Sequence, residues 1–511
     1  MNLVTLRKSF SLLIFFLFIL LFTVGESAAD FLSSLLLPFQ LVPALLHSLA
    51  NPGVLFVSGL MILAALCLVF GRVYCSFLCP LGVMQDGFIF LARKARIRLN
   101  HKTEKPYNRV RYSLLAVTLV TAVSGSMILL NFLDPFSLAG RLITHLGDPV
   151  VAALRSTYIG ILKYFDIYLF DGAMNPVPLS LLMTTVMFLF LIIFMSLRGG
   201  RLYCNTVCPV GTLLGLIARF SLFKISFKGG RCNDCGCCEN VCKGGCIDLS
   251  KMQIDHSRCV NCFNCLKACS QSAISYRLPL ADDDQKGWSP ARRGFIFRSI
   301  AAAGSLALVF NSGIRNVAAS SAVEQEDIPV TPPGSGGVAH FTNACSACHL
   351  CVNICPTKVL VPSMFAYGIG GFMQPQMDYR KSYCDFECKA CGRVCPTGAI
   401  IDLPLADKKQ TQIGVVQLLK EECIVYVKHQ NCGACGEVCP TSTIYSVNKN
   451  DVLYPEIDDQ YCIGCGACEK ACPTEPKSII VKSNPLHKKA VKYVLPAEVV
   501  QPKKADKDFP F

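Results

Sequence analysis

At 511 residues, with 52% hydrophobic residues and a mean hydropathy of +0.43, the chain is too long for one domain and too apolar for an ordinary soluble protein. Its 31 cysteines recur in tight, regular groups along a long chain, which excludes the disulfide framework of a small secreted domain and points to metal. The net charge of +14 clusters beside apolar runs rather than along a solvated stripe, so it signals membrane topology and not nucleic acid.

Four apolar stretches, 10–24, 53–70, 112–133 and 177–197, approach the length that crosses about 30 Å of hydrocarbon and predict four spans. The connection 71–111 holds nine basic residues against two acidic ones, whereas 134–176 holds three against four, and 198–231 holds six basic residues and no acidic one. This alternation places the basic connections in the cytoplasm. The Leu-rich stretches 31–50 and 150–170 carry prolines or charges and are expected to be amphipathic segments on the outer surface. His47, His145 and Asp134, near the same boundary, are read as satisfied surface residues. No histidine falls in the four spans, so the paired imidazoles of a membrane haem are missing.

Two cysteine pairs, Cys75 and Cys79 before Pro80 and Cys204 and Cys208 before Pro209, share the pattern RxYCxxxCPxG. Arg72, Tyr74 and Gly82 are matched by Arg201, Tyr203 and Gly211, which makes the membrane half an internal repeat of two spans plus one motif. These four cysteines are the candidate catalytic residues. They could hold a metal, form a redox disulfide or line a quinone pocket. Cys67, inside an apolar stretch, reads as a small buried side chain.

Next, Cys232, Cys235, Cys238 and Cys242 spell CxxCxxCxxxC, and Cys259, Cys262, Cys265 and Cys269 repeat it. Three thiolates in one loop wrap three irons of a cube, and the fourth cysteine reaches the neighbouring cube. One cluster is therefore expected on Cys232, Cys235, Cys238 and Cys269, the other on Cys259, Cys262, Cys265 and Cys242. The repeat argues against structural zinc. Lys243 and Ser270 stand where a proline usually follows the fourth cysteine, and Cys237 and Cys246 are spare thiols or packing residues.

Residues 288–338 begin with Arg292 and Arg293 ahead of a short apolar run at 300–310, the form of a twin-arginine export signal, followed by a Pro/Gly-rich linker. A fifth span would place the remaining chain on the same far side. Four further groups follow, each ending in Cys-Pro: Cys345, Cys348, Cys351 and Cys355; Cys384, Cys388, Cys391 and Cys395; Cys423, Cys432, Cys435 and Cys439; Cys462, Cys465, Cys468 and Cys472. Irregular spacing in the second and third groups suggests two ferredoxin units, one inserted in the other. Cys345, Cys348 and His349 also spell the CxxCH of a c-type haem, but Cys351 and Cys355 complete a cube spacing instead.

These motifs resemble two ferredoxin types of periplasmic nitrate reductase systems. Residues 1–280 are similar to the NapH type, with spans, CxxxCP motifs and two cytoplasmic clusters, and 288–490 to the NapG type, an exported four-cluster ferredoxin whose motifs the methylamine-utilisation ferredoxins, the MauM type among them, share. The resemblance implies a quinol dehydrogenase that oxidises menaquinol or ubiquinol and delivers electrons to a periplasmic reductase or cytochrome c acceptor.

The expected architecture is multi-domain: an α-helical membrane domain at 1–228, a cytoplasmic two-cluster α+β bacterial-ferredoxin-like domain at 229–280, the segment 288–338, a periplasmic four-cluster α+β domain at 339–490 and a tail at 491–511. The expected cofactors are six [4Fe–4S] clusters, with quinol as substrate, lipid and the quinone pool as partners, and a multi-pass place in the bacterial inner membrane. Diffusing quinone is the expected carrier between the faces. A redox maturation factor for another metalloenzyme is the second reading.

Overall fold

The computed structural model describes residues 3–23, 25–96, 107–166, 177–228, 231–278 and 328–492. The twin-arginine segment and its apolar run lie outside the described residues, as does most of the tail.

Two helices are long and apolar enough to cross a membrane, α1 (Leu3–Thr23) and α11 (Leu179–Gly199), each 21 residues, or about 31 Å at 1.5 Å per residue. Both are built inside out. Leu12, Leu13, Phe16, Phe190 and Phe194 stay more than half exposed, while α1 turns Arg7 and Ser11 inward. The expected span at 53–70 is found as a 17-residue apolar helix, whereas that at 112–133 is broken. The first is α4 (Val54–Phe70), and the second breaks after α7 (Asn108–Val123) before α8 (Ile128–Leu133). The break falls at Ser124, Gly125 and Ser126, with Gly125 at φ +86°, a conformation that favours glycine.

The stretch read as an outer-surface amphipathic segment at 31–50 is instead part of a bent pair, α2 (Glu26–Leu36) and α3 (Leu41–Ala50), turning through 96° near Pro38. It buries Ala29, Leu32, Leu36, Leu41 and Ala44. Its counterpart is α8, then α9 (Pro135–Leu142) after a turn at Asp134, a π-helical turn at Ile143–Gly147 and α10 (Asp148–Tyr164). Each repeat is thus a helix, a broken helical segment, an apolar helix and a CxxxCP motif, though α10 keeps Val150, Leu154 and Tyr158 more than half exposed, as expected of a surface segment at 150–170. The broken segments were missed because their prolines and polar residues obscure any continuous apolar run. They bury what was read as surface: Asp134 is 1% and His145 0% exposed. The Asp134 carboxylate caps α9 through the Ser137 N–H and hydroxyl, and His145 Nδ1 lies 2.7 Å from Thr185 Oγ1. His47 stacks on Phe56 at 3.7 Å.

The first ferredoxin unit is closed by β1 (Lys224–Phe227) and β4 (Ile274–Arg277), paired antiparallel from Lys224↔Arg277 to Phe227↔Ile274. Between them lies the small hairpin of β2 (Ile247–Asp248) and β3 (Gln253–Ile254). Beyond residue 328, β5 (Leu360–Pro362) pairs with β6 (Pro375–Met377), β7 (Thr411–Leu418) with β10 (Ile479–Lys489), and β8 (Ile444–Lys449) with β9 (Val452–Ile457). The second pairing encloses the third and fourth cysteine groups; the first two groups precede it. The units are in tandem and not one inside the other. The irregular spacings come from loops within each unit, such as the helical turn Ile424–Lys428 between Cys423 and Cys432.

Helix α1 separates the ferredoxin units. Val4 at its start belongs to the core of the 231–278 unit, with Cys238 and Cys265. Phe22 at its end packs where a side chain on Gly140 would also meet the Cys348 carbonyl. Val4 and Phe22 are about 27 Å apart along the helix.

Candidate metal centres

Each ferredoxin motif folds as a loop that enters a one-turn helix, with the last cysteine of its group beyond that turn. Left-handed residues make the loops tight: Asp234, Asn261, Phe263, Ala347 and His349 all have φ between 50° and 66°. Cys232, Cys235, Cys238 and Cys269 line one cavity, and Cys259, Cys262, Cys265 and Cys242 line another. Cys246 joins the second, its Sγ 3.5 Å from Cys242 Sγ, while Cys237 borders the first.

The same crossing recurs downstream. Cys355 joins Cys384, Cys388 and Cys391 around one cavity, and Cys472 joins Cys423, Cys432 and Cys435 around another. Cys395 neighbours Cys345, Cys348 and Cys351, and Cys439 neighbours Cys462, Cys465 and Cys468. Among the described residues no three His, Cys, Asp or Glu side chains are drawn to ligand geometry, in these motifs or elsewhere. At least four sulfurs converge on each cavity, with Asp385 the one carboxylate among the linings, a donor set that suits an iron–sulfur cube, which supplies one-electron carriage when bound.

The 231–278 unit docks on the membrane half through polar anchors. Asp86 on α6 (Pro80–Lys94) accepts Arg7 at 2.8 Å, Arg201 at 2.8 Å and Lys243 at 2.9 Å. Burial works against its charge, yet Arg201, Lys243 and Arg7 hold its carboxyl well below the usual carboxylate range. Lys243, which replaces the usual proline of the ferredoxin motif, is thereby a docking residue. Ser76 Oγ donates to the Val260 carbonyl at 2.6 Å and Arg72 Nη1 to the Ser257 carbonyl at 2.9 Å, both in the second cluster loop. At the other end, Arg393 pairs with Glu26 and Asp30 of α2, and Asn353 Nδ2 donates to Thr144 Oγ1 at 2.9 Å.

Between the units sit Cys75, Cys79, Cys204 and Cys208, each 3% exposed and all in one core with Val260, Cys262 and Cys348. The two motifs face each other: Arg201 Nη1 donates to the Cys75 carbonyl at 2.7 Å and Arg72 Nη2 to the Cys204 carbonyl at 3.1 Å. Cys79 and Cys208 cap α6 and α13 (Pro209–Ala218), and Cys208 Sγ accepts the Gly211 N–H at 3.3 Å. The matched tyrosines tie each motif to the broken segment of its own repeat: Tyr74 Oη donates to Gln40 Oε1 at 2.9 Å, and Tyr203 Oη to the Leu133 carbonyl at 2.8 Å. Sequence reading singled out the cysteines, arginines and tyrosines but missed Gln85 and Asp86; their spacing of ten and eleven residues from Cys75 carries no signal until α6 is in place. Cys67 is buried, its Sγ 3.6 Å from the Leu214 carbonyl.

A 4Fe–4S binding domain matches residues 52–98 and 181–228, and 4Fe–4S dicluster domains match 344–400 and 407–475. The last two confirm the tandem order. The chain is 26% identical to the ferredoxin-type protein NapH of Escherichia coli over 243 residues, 45% of this chain and 71% of that protein. It is 28% identical to the methylamine utilization ferredoxin-type protein MauN of Paracoccus denitrificans over 176 residues, 34% of this chain and 49% of that protein. An uncharacterized protein of Methanocaldococcus jannaschii is 38% identical over 96 residues, 18% of this chain and 37% of that protein. The chain thus spans half or less of the latter two relatives. No solved structure matches.

Proposed function

We propose that the chain is a membrane-bound electron conduit that oxidises quinol and delivers electrons to a soluble acceptor, a reductase or c-type cytochrome, on the exported side. The observation that carries the reading is the single core that runs from Val260 and Cys262, past the CxxxCP cysteines, to Cys348. Cysteine sets fit for one-electron carriers stand at both ends of a helix of membrane-crossing length. Quinol surrenders two electrons and two protons; the electrons leave singly, as clusters require, and the protons go to water.

The likeness to NapH and MauN supports the membrane half of this reading, and the twin-arginine segment ahead of the tandem units supports a fusion with a NapG-type exported ferredoxin. On this reading 231–278 faces the cytoplasm and 328–492 the periplasm. The protein's own residues fix the cofactor loops: Lys243 and Arg72 anchor the inner unit, and Arg393, Asn353 and His349 the outer one.

Full-length protein in proteoliposomes, given menaquinol or ubiquinol under anaerobic conditions, should bleach its cluster absorbance, and adding a soluble oxidant outside should restore it. If the clusters accept electrons from dithionite but from neither quinol, the reading fails and a maturation role takes precedence.

A further inference from the structure

We infer that Cys75, Cys79, Cys204 and Cys208 together hold one additional iron–sulfur centre, ligated two and two by the repeats, in the core between the ferredoxin units. Each stretch matched as a 4Fe–4S binding domain, 52–98 and 181–228, brings only two cysteines of the CxxxCP motif, too few to hold a cluster alone. The fold brings the two pairs face to face, which makes four.

Charge is the strongest ground for it. Arg72 and Arg201 are both 0% exposed and flank the sulfurs, Arg72 Nη2 standing 3.7 Å from Cys75 Sγ and Arg201 Nη1 4.0 Å from Cys204 Sγ. Arg72 makes its hydrogen bonds to Asn205, the Ser257 and Cys204 carbonyls and Cys75 Sγ, none of them a carboxylate. Arg201 shares Asp86 with Arg7 and Lys243. So many buried cations around one carboxylate are costly without a further anion. The N-termini of α6 and α13 add positive potential at Cys79 and Cys208. Four neutral thiols or two disulfides would leave this field unanswered. Four thiolates around an oxidised two- or four-iron core carry a net charge of about −2, which answers it.

A second observation is independent of charge. Gln85 is 0% exposed; its Oε1 accepts the Cys204 S–H at 3.1 Å and its Nε2 has no partner, so a thiolate at Cys204, which has no S–H to give, requires the amide to turn over and present Nε2–H to the sulfur. A buried amide N–H with nothing to donate to, beside a sulfur, is suited to a cluster sulfide or thiolate, and hydrogen bonds to sulfur tune such centres.

The position then has a purpose. Ser76, next to Cys75, bonds the cluster loop at Val260, and Tyr203, next to Cys204, bonds Leu133 in the segment whose Gly140 lies against the Cys348 carbonyl. A centre here would link inner and outer units without a diffusing carrier. The inference deepens the conduit reading, but its test needs no donor or acceptor, so the two can fail separately.

The test is metal and sulfide analysis with Mössbauer spectroscopy on anaerobically purified full-length protein. About two or four irons per chain should appear beyond the complement of six cubes. The double variant Cys79→Ser, Cys208→Ser should lose that increment and keep the ferredoxin signals. Because this variant could fail to insert, acid-quenched alkylation of the wild-type chain is read alongside. All four cysteines should be recovered as thiols. A disulfide among them, zinc in place of the extra iron, or no iron beyond the six cubes overturns the inference.

Discussion

His145 of the membrane half and His349 of the first cysteine loop of the tandem units meet in the interior, His145 Nε2 lying 2.9 Å from His349 Nδ1. His349 Nε2 lies 2.7 Å from the Met373 carbonyl. Both nitrogens of His349 are therefore engaged, which leaves none to ligate the iron that its CxxCH sequence suggests. A haem stain of the denatured wild-type chain should be negative; covalently bound haem at Cys345 and Cys348 would refute the cluster assignment there. His145→Ala removes one partner from a buried bond and should weaken docking by about 1–3 kcal/mol. Hydrogen exchange should rise at Leu350–Ile354 while Asn264–Ala268 of the 231–278 unit stays protected.

Asp86 holds Arg7, Arg201 and Lys243 at once, from α1, the second motif and the 231–278 unit. Asp86→Asn leaves three buried cations without their carboxylate and should destabilise the protein by about 3–5 kcal/mol. Thermal unfolding in detergent measures it. A melting temperature within a degree or two of the wild type would mean that the trio is not held together by this charge.

Gly211 and Gly82 are equivalent, and a methyl group on either would collide with the carbonyl of the first cysteine in its own motif, Cys204 or Cys75, and press on the arginine of the other repeat. Gly211→Ala should cost about 1–3 kcal/mol by overpacking and disturb the arrangement of the four sulfurs. Gly87 lies on the exposed face of the same α6 that carries Gly82, and a methyl group there would meet nothing within 4 Å. Gly87→Ala should therefore be neutral or stabilising by about 0.5–1 kcal/mol. Equal behaviour of the two variants in a melting experiment would contradict this packing.

What could be read from residues alone follows from how local each signal is. Cube ligands sit three residues apart, so Cys232 to Cys238 or Cys462 to Cys468 announce themselves, and the RxYCxxxCPxG repeat is legible for the same reason. The broken segments are not, because Pro38, Asp134 and Arg141 become tolerable only when another repeat and a docked domain surround them. Arg141, for instance, donates to the Asn131 carbonyl and reaches Met373 Sδ of the first tandem unit at 3.3 Å. Lys243 could be noticed as an oddity within its motif, but its reason, Asp86, is 157 positions away in the sequence by simple difference of the two residue numbers.

His487, on β10, supplies a pH dependence confined to the tandem domain. Burial, with a smaller push from His340, lowers its imidazole to about 4 from the ordinary 6.5. Nε2 lies 2.9 Å from Thr331 Oγ1, and buried Nδ1 has no partner to receive a proton's charge. The folded state therefore favours the neutral ring. Its stabilising contribution is fully present above pH 6.5 and is lost as pH falls toward 4, because the unfolded chain takes up the proton first. Between pH 7 and pH 5 this amounts to about 2 kcal/mol. His487→Gln cannot titrate, so over that interval its unfolding free energy should fall by about 2 kcal/mol less than that of the wild type. Denaturant unfolding followed by circular dichroism at the two pH values measures the difference, and parallel losses in both proteins would show that His487 is not the group responsible.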